Sequence, residues 1–185
     1  MSQRLTIRIG WIALGMGLLV PLCRGAFADA QAVSEYQVKA AYLYNFTKFV
    51  EWPAGTFATA SDPIRLCVLN DKLFQAQLNQ IAGSRQIAGH PVLVVLITDP
   101  KQSRGCHELF IGASERQGTL QILDSVRGAS VLTVGETDAF VEQGGIINFV
   151  VLGDHVQFQV NQKAATQAGL HMSSQLLSVA KRVFK

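Results

Sequence analysis

The side chains able to do chemistry are few and scattered. His90, His107, His155 and His171 stand singly. No HExxH occurs and no two histidines have a short metal-ligand spacing, so a zinc site is not indicated. Both common phosphate-cradling loops, GxGxxG and GxxxxGK[ST], are missing. Gly144-Gly145 lies between a predicted helix and a strand, the reverse of a dinucleotide turn. No GxSxG marks a nucleophile elbow. Glu35, Glu51, Asp124, Glu136, Asp138 and Glu142 could supply an acid and a base. They are scattered over predicted helix surfaces and read better as solvated charge. Glu108, near a strand start, is the exception. The sequence therefore assigns no catalytic residue, no metal and no cofactor, and an enzyme is not expected.

Three cysteines are present, Cys23, Cys67 and Cys106. The first lies in a leader. Residues 1–28 carry Arg4, Arg8 and Arg24 and no acidic residue. An apolar run from Trp11 to Leu22 follows the first arginines, and Ala26-Phe27-Ala28 supplies small residues for cleavage before Asp29. This is the plan of a secretory signal peptide, and the apolar run is shorter than the roughly 20 residues of a membrane span. A bacterial chain so exported is periplasmic. There Cys67 and Cys106 read as one disulfide, two buried free thiols being the alternative. No CxxC is present, and nothing marks a reactive thiol.

The remaining body, residues 29–185, is a single domain. The whole chain is 185 residues, 49% hydrophobic and only 16% charged, with formal net charge +3. That excess belongs to the leader, so the body is neutral. Neutrality argues against nucleic acid as partner, since backbone binding needs a cationic surface.

The elements that must position these residues follow from periodicity. Glu35 to Trp52 is a helix stopped by Pro53, with Val38, Ala41, Tyr42, Asn45, Phe49 and Trp52 on one stripe and Tyr36, Ala40, Leu43 and Val50 on another. A connector leads to a strand at Ile64–Leu69. Asn70 caps a helix from Asp71 to Ala82. Val92–Ile97 is a strand buried on both faces. Asp99-Pro100 starts a short turn. Cys106–Ile111 is a strand, Ser114–Val126 a helix with Leu120, Ile122 and Leu123 inward, Ala129–Thr133 a strand and Glu136–Gln143 a short helix. Ile146–Leu152 turns at Gly153-Asp154 into His155–Val160, whose strict alternation marks a half-exposed antiparallel strand. Asn161 and Ser173 cap two closing helices, and Leu176, Leu177, Ala180 and Val183 of the last face the core. The fold class is α/β, a layered α/β/α domain with a mainly parallel sheet of about six strands, ending in an antiparallel hairpin.

The aromatic load of the first helix is its most informative feature. Tyr36, Tyr42, Tyr44, Phe46, Phe49 and Trp52 crowd one element. Leu43, Phe46 and Phe49 read as core. One helix face cannot hold the whole set, so Tyr36, Tyr44 and Trp52 are expected at a dimer interface.

Several strings in order resemble the YfiR family of small periplasmic proteins. They are Tyr36-Gln37-Val38-Lys39-Ala40-Ala41-Tyr42-Leu43-Tyr44-Asn45-Phe46 leading to Glu51-Trp52-Pro53, then Ile64-Arg65-Leu66-Cys67-Val68, Gly144-Gly145-Ile146-Ile147-Asn148-Phe149, and Val156-Gln157-Phe158-Gln159-Val160-Asn161 leading to Ala168-Gly169-Leu170 and Ser173-Ser174-Gln175-Leu176-Leu177. The resemblance implies a dimeric regulator, not an enzyme. It implies binding to the periplasmic region of a membrane diguanylate cyclase or sensor kinase, which keeps cyclic-di-GMP low and restrains biofilm. It also implies that Cys67 and Cys106 pair, while the places of the family's second pair are held by Val141 and Asn148. By the same resemblance, partner contact falls on the exposed side of the last strand and the helix after it: Gln157, Gln159, Asn161 and Ala165. A periplasmic small-molecule binding module is the rival reading.

Overall fold

The computed structural model describes residues 25–185, with side chains from residue 35 onward. Most of the expected leader, residues 1–28, lies outside the described residues. Helix α1 spans Gly25–Phe46 and ends six residues before the expected Trp52. A 3-10 turn, Thr47–Phe49, and a short strand β1, Val50–Glu51, take its place. Three local causes agree. The Thr47 hydroxyl donates back to the Leu43 carbonyl, which loosens a helix end. Val50 is β-branched. Pro53 forces the residue before it toward extended backbone.

Strand β2 is Ile64–Leu69, buried except at Arg65. Helix α2, Lys72–Ala82, follows. Its cap is Asp71, not Asn70: the Asp71 carboxylate accepts the Phe74 N–H, while Asn70 takes φ 55° at the turn. A two-residue strand β3, Gln86–Ile87, and then β4, His90–Ile97, come next. Asp99 caps the 3-10 segment Pro100–Gly105 with a capping box. Strand β5 is Glu108–Ile111. The helix expected over 114–126 divides into a 3-10 segment, Ala113–Gly118, and α3, Thr119–Ser125. Ile122 and Leu123 are buried in it, but Leu120 is 59% exposed and Thr119 is buried instead. Strand β6, Leu132–Gly135, starts three residues later than expected. The helix expected over 136–143 is a series of turns, broken where Ala139 adopts φ 58°. Phe140 there fills the space above Gly135 and Gly145, where any Cβ would lie within 2.5 Å of its ring.

The chain closes with β7, Ile147–Leu152; β8, His155–Asn161; α4, Gln162–Gln167; β9, His171–Met172; α5, Ser174–Val179; and β10, Arg182–Phe184. Asn161 and Ser173 cap α4 and α5 as expected. The last helix stops at Val179, short of Val183, because Lys181 N–H is captured by the Phe158 carbonyl and the chain runs on as a strand.

The main sheet has eight strands in the order β10-β8-β7-β6-β5-β2-β4-β3, and β1 pairs separately with β9. Five of its ladders are parallel and two, β3/β4 and β7/β8, antiparallel. The fold is thus layered α/β with a mainly parallel sheet. The β7–β8 hairpin lies within the sheet, since β10 pairs parallel with β8. One core, with Leu43, Phe46, Phe74, Phe110 and Phe158, packs α1, α2, α4 and α5 on one face. The other, with Cys67, Leu109, Ile122 and Phe140, lies beneath α3 and the 3-10 segments. Among the described residues no helix is long and apolar enough to cross a membrane.

Candidate partner-binding surface

The three aromatics expected at a dimer interface have separate environments. The Tyr36 hydroxyl donates to Asp71 Oδ2 at 3.0 Å, and its ring meets Phe74 edge-on. Burial, then the Asp71 contact, raises its ionisation well above the usual phenol range. Tyr44 is 5% exposed and carries Lys48 and Arg85 over its ring at 4.1 and 5.3 Å. It is a core residue roofed by cations, so direct contact with a second molecule falls to those cations. Trp52 is half-buried, edge-on to Phe57 and His107, and its buried Nε1 has no partner.

Of the residues expected to meet a partner, Gln157 is exposed and Gln159 half-exposed. Asn161 works inside the fold: its Oδ1 accepts the Ala164 N–H and its Nδ2 donates to the Val141 carbonyl at 2.7 Å. Ala165 is 1% exposed, on the buried face of α4. The edge of β8 is covered from Gln159 to Asn161, which pair with Arg182 to Phe184 of β10.

The structure does join Gln157 to the first helix. α5 crosses near α1 and β8, leaving a groove of about 450 Å³ lined by Tyr42, Asn45, Phe46, Phe49, Phe158 and Val179. A second hollow of about 310 Å³ shares Tyr42, Phe158 and Val179 with it and adds His155, Gln157 and Lys181. Its floor is aromatic: Phe46 and Phe158 lie 4.8 Å apart and Tyr42 meets both. Its rim is polar. Val179, on the α5 side, is 69% exposed, and Val38, next along the α1 stripe, is also exposed. The sequence stripe Val38–Tyr42–Asn45–Phe49 carried this signal. The place of Val179 did not, because periodicity gave α5 only an inward face.

Two buried charged groups escape a sequence reading. Lys39 is 3% exposed and bridges Glu35 and Glu136, tying α1 to the turn after β6. Beside it, at the carboxyl ends of the strands, a crevice of about 420 Å³ is lined by Lys39, Glu136, Thr137 and Asn148. Thr137 Oγ1 and Asn148 Oδ1 have no partner. Glu108 is fully buried; its Oε2 lies 2.5 Å from the Thr47 hydroxyl, whose one hydrogen is shared between this carboxyl and the Leu43 carbonyl, and Oε1 is unpartnered. Burial raises its pKa to about 8, the Thr47 contact opposing. The carboxyl is therefore neutral at pH 7, and it lies on the opposite end of β5 from the crevice. Cys67 and Cys106 form a buried disulfide between β2 and the entry to β5. Among the described residues no group of three or more His, Cys, Asp or Glu is placed to hold a metal.

The sequence model of the YfiR/HmsC-like family matches residues 36–181. No curated protein matches the sequence. Among solved structures, the ABC domain in complex with L-Trp from Streptococcus pneumonia is 12% identical, with a TM-score of 0.53, and the match covers 78% of this chain and 62% of that one. A conserved domain protein from Vibrio cholerae O1 biovar El Tor is 9% identical, with a TM-score of 0.55, and the match covers 80% of this chain and 60% of that one. The chain spans about three fifths of the length of both. At these identities the likeness concerns the fold alone.

Proposed function

The chain belongs to the YfiR/HmsC-like family, and from that premise we propose that it is a periplasmic regulator that binds the periplasmic domain of an inner-membrane diguanylate cyclase, or a related membrane sensor. Binding holds the cyclase inactive, keeps cyclic-di-GMP low and restrains biofilm formation. The observation that carries this reading to a surface is the aromatic-floored groove between α1, β8 and α5, with Gln157 on its rim. A large apolar floor inside a polar rim is the anatomy of a protein-binding hot spot. The mechanism is a population shift. The regulator must bind the inactive conformation more tightly than the active one, since equal affinity shifts nothing. Self-association into a dimer belongs to the proposal. Release by a change of redox state also belongs to the proposal, and it rests on Cys67–Cys106 alone, because Val141 and Asn148 stand where the resemblance places a second pair.

Deleting the gene raises cyclic-di-GMP, and the tagged protein captures a membrane cyclase or sensor from solubilised envelope. An unchanged nucleotide level with no membrane protein captured rejects the proposal. The second reading, a small-molecule binding module, draws support from the crevice beside Lys39, where two buried polar atoms await partners. Calorimetry against a metabolite panel separates the two: a tight ligand with no membrane partner favours the module.

A further inference from the structure

The connector between β1 and β2 is held against the amino-terminal edge of the sheet by a stack of rings. Phe57 lies between His90, with ring centroids 4.2 Å apart, and His107, at 4.7 Å, both nearly parallel to it. The two imidazoles are wired differently. His90 Nδ1 lies 2.9 Å from the Asp62 carbonyl oxygen, which can only accept, so His90 donates there and keeps that bond when protonated. His107 Nδ1 accepts the backbone N–H of Arg65 at 2.9 Å, which places its own hydrogen on Nε2. The His107 N–H donates to the Arg65 carbonyl at 3.0 Å, so one residue satisfies both backbone groups of Arg65 on that side of β2.

We propose that His107 is a proton-operated latch: while neutral, its Nδ1 bond to the Arg65 amide holds the ring in the plane on which Phe57 of the connector stacks, and a proton on Nδ1 breaks that bond, turns the ring out and so releases the connector. Protonation sets two N–H groups facing each other across the Arg65 contact and strands the Arg65 amide. It also places a cation in a setting that already holds the Arg65 guanidinium of β2 and His90 of β4, against one carboxylate, Asp62 of the connector. Glu108, the next residue, faces Thr47 and is neutral. Burial, then Arg65, then His90 hold the His107 imidazole below the ordinary histidine range, with Asp62 opposing. The latch is therefore shut at neutral pH and opens only on acidification below the ordinary histidine range.

Hydrogen exchange by NMR, corrected for the intrinsic rate at each pH, tests it on the Arg65 amide and the connector. Between pH 7.5 and pH 5 the wild type loses protection at these amides by tenfold or more, with a midpoint matching the titration of the His107 ring. His107→Asn places an acceptor that takes no proton near the position of Nδ1, and its protection changes by less than twofold. At pH 7.5 the ring nitrogen shifts show the Nε2–H tautomer. An Nδ1–H tautomer, protection unchanged by pH, midpoints that differ, or an equal loss in His107→Asn overturns the latch. The tautomer and the midpoints are read on the wild type, so they decide the matter even where the variant fails to fold.

Discussion

At the scale of single residues, Glu108 gives the clearest consequence. Its carboxyl sits in the core with one hydroxyl for company, and burial raises its pKa to about 8. Unfolded, it loses its proton near 4.5. Between these values the folded chain binds more protons than the unfolded one, so stability falls as pH rises. The contribution is complete below the unfolded value and is lost as pH climbs through the folded one. His107 acts in the opposite sense, losing stability as pH falls through its ordinary range, so the window from pH 6.5 to 8 isolates the carboxyl. There the wild type loses about 2 kcal/mol in urea denaturation, whereas Glu108→Gln, neutral and of equal shape, shows a flat profile. Equal slopes in the two proteins would show that the carboxyl ionises freely in the fold. Glu108 stood apart in the sequence as the one carboxylate in a predicted strand, but nothing there named its partner, and Lys39, in a helix, reads as solvated; the contacts of Thr47 with β5, and of Glu136 with α1, come only from the fold.

At the scale of elements, legibility followed the strength of local signals. β2, β4, β7 and β8 appear where their apolar runs and alternation place them, although β4 is not buried on both faces as expected, Leu93 being 42% exposed near the edge of the sheet, and Asn161 and Ser173 cap α4 and α5. The end of α5 is set by a tertiary partner, β10 being drawn along β8, whereas at α1 the apolar spacing that runs on to Trp52 masks the local breakers Thr47, Val50 and Pro53, and β1 then pairs with β9. The turn over 136–143 was hidden because Phe140 folds back over two flanking glycines, Gly135 and Gly145, five residues to either side, a spacing that belongs to neither helix nor strand periodicity. The disulfide joins β2 to the entry of its neighbour β5 and spans 39 residues of chain. Closing a loop of that length limits the unfolded state. Cys67→Ser lowers stability by about 2–4 kcal/mol, and reductant lowers the melting temperature of the wild type but not of the variant. Coincident wild-type melts with and without reductant mean that the bond does not form in solution.

At the scale of the whole molecule, the groove is where separate elements meet to make something none of them carries alone. α1 supplies Tyr42 and Phe49, β8 supplies Phe158 and Gln157, and α5 supplies Val179. The stripe on α1 was readable from spacing, but which part of it stays open depends on the place where α5 crosses. This division sets a test that separates binding from folding. Val179 is exposed, so Val179→Asp changes stability by no more than about 0.5 kcal/mol. A carboxylate there meets the apolar centre of any docked partner and is desolvated without a counter-charge. Capture of the membrane partner then falls at least tenfold while the melting curve is unchanged, and the cell shows the raised cyclic-di-GMP of the deletion strain. Gln157→Ala, at the rim, weakens capture less, because a solvated edge carries little of the binding energy. If Val179→Asp retains full capture and full control of the nucleotide level, the partner docks elsewhere, and the aromatic floor serves only the packing of α1 on α5.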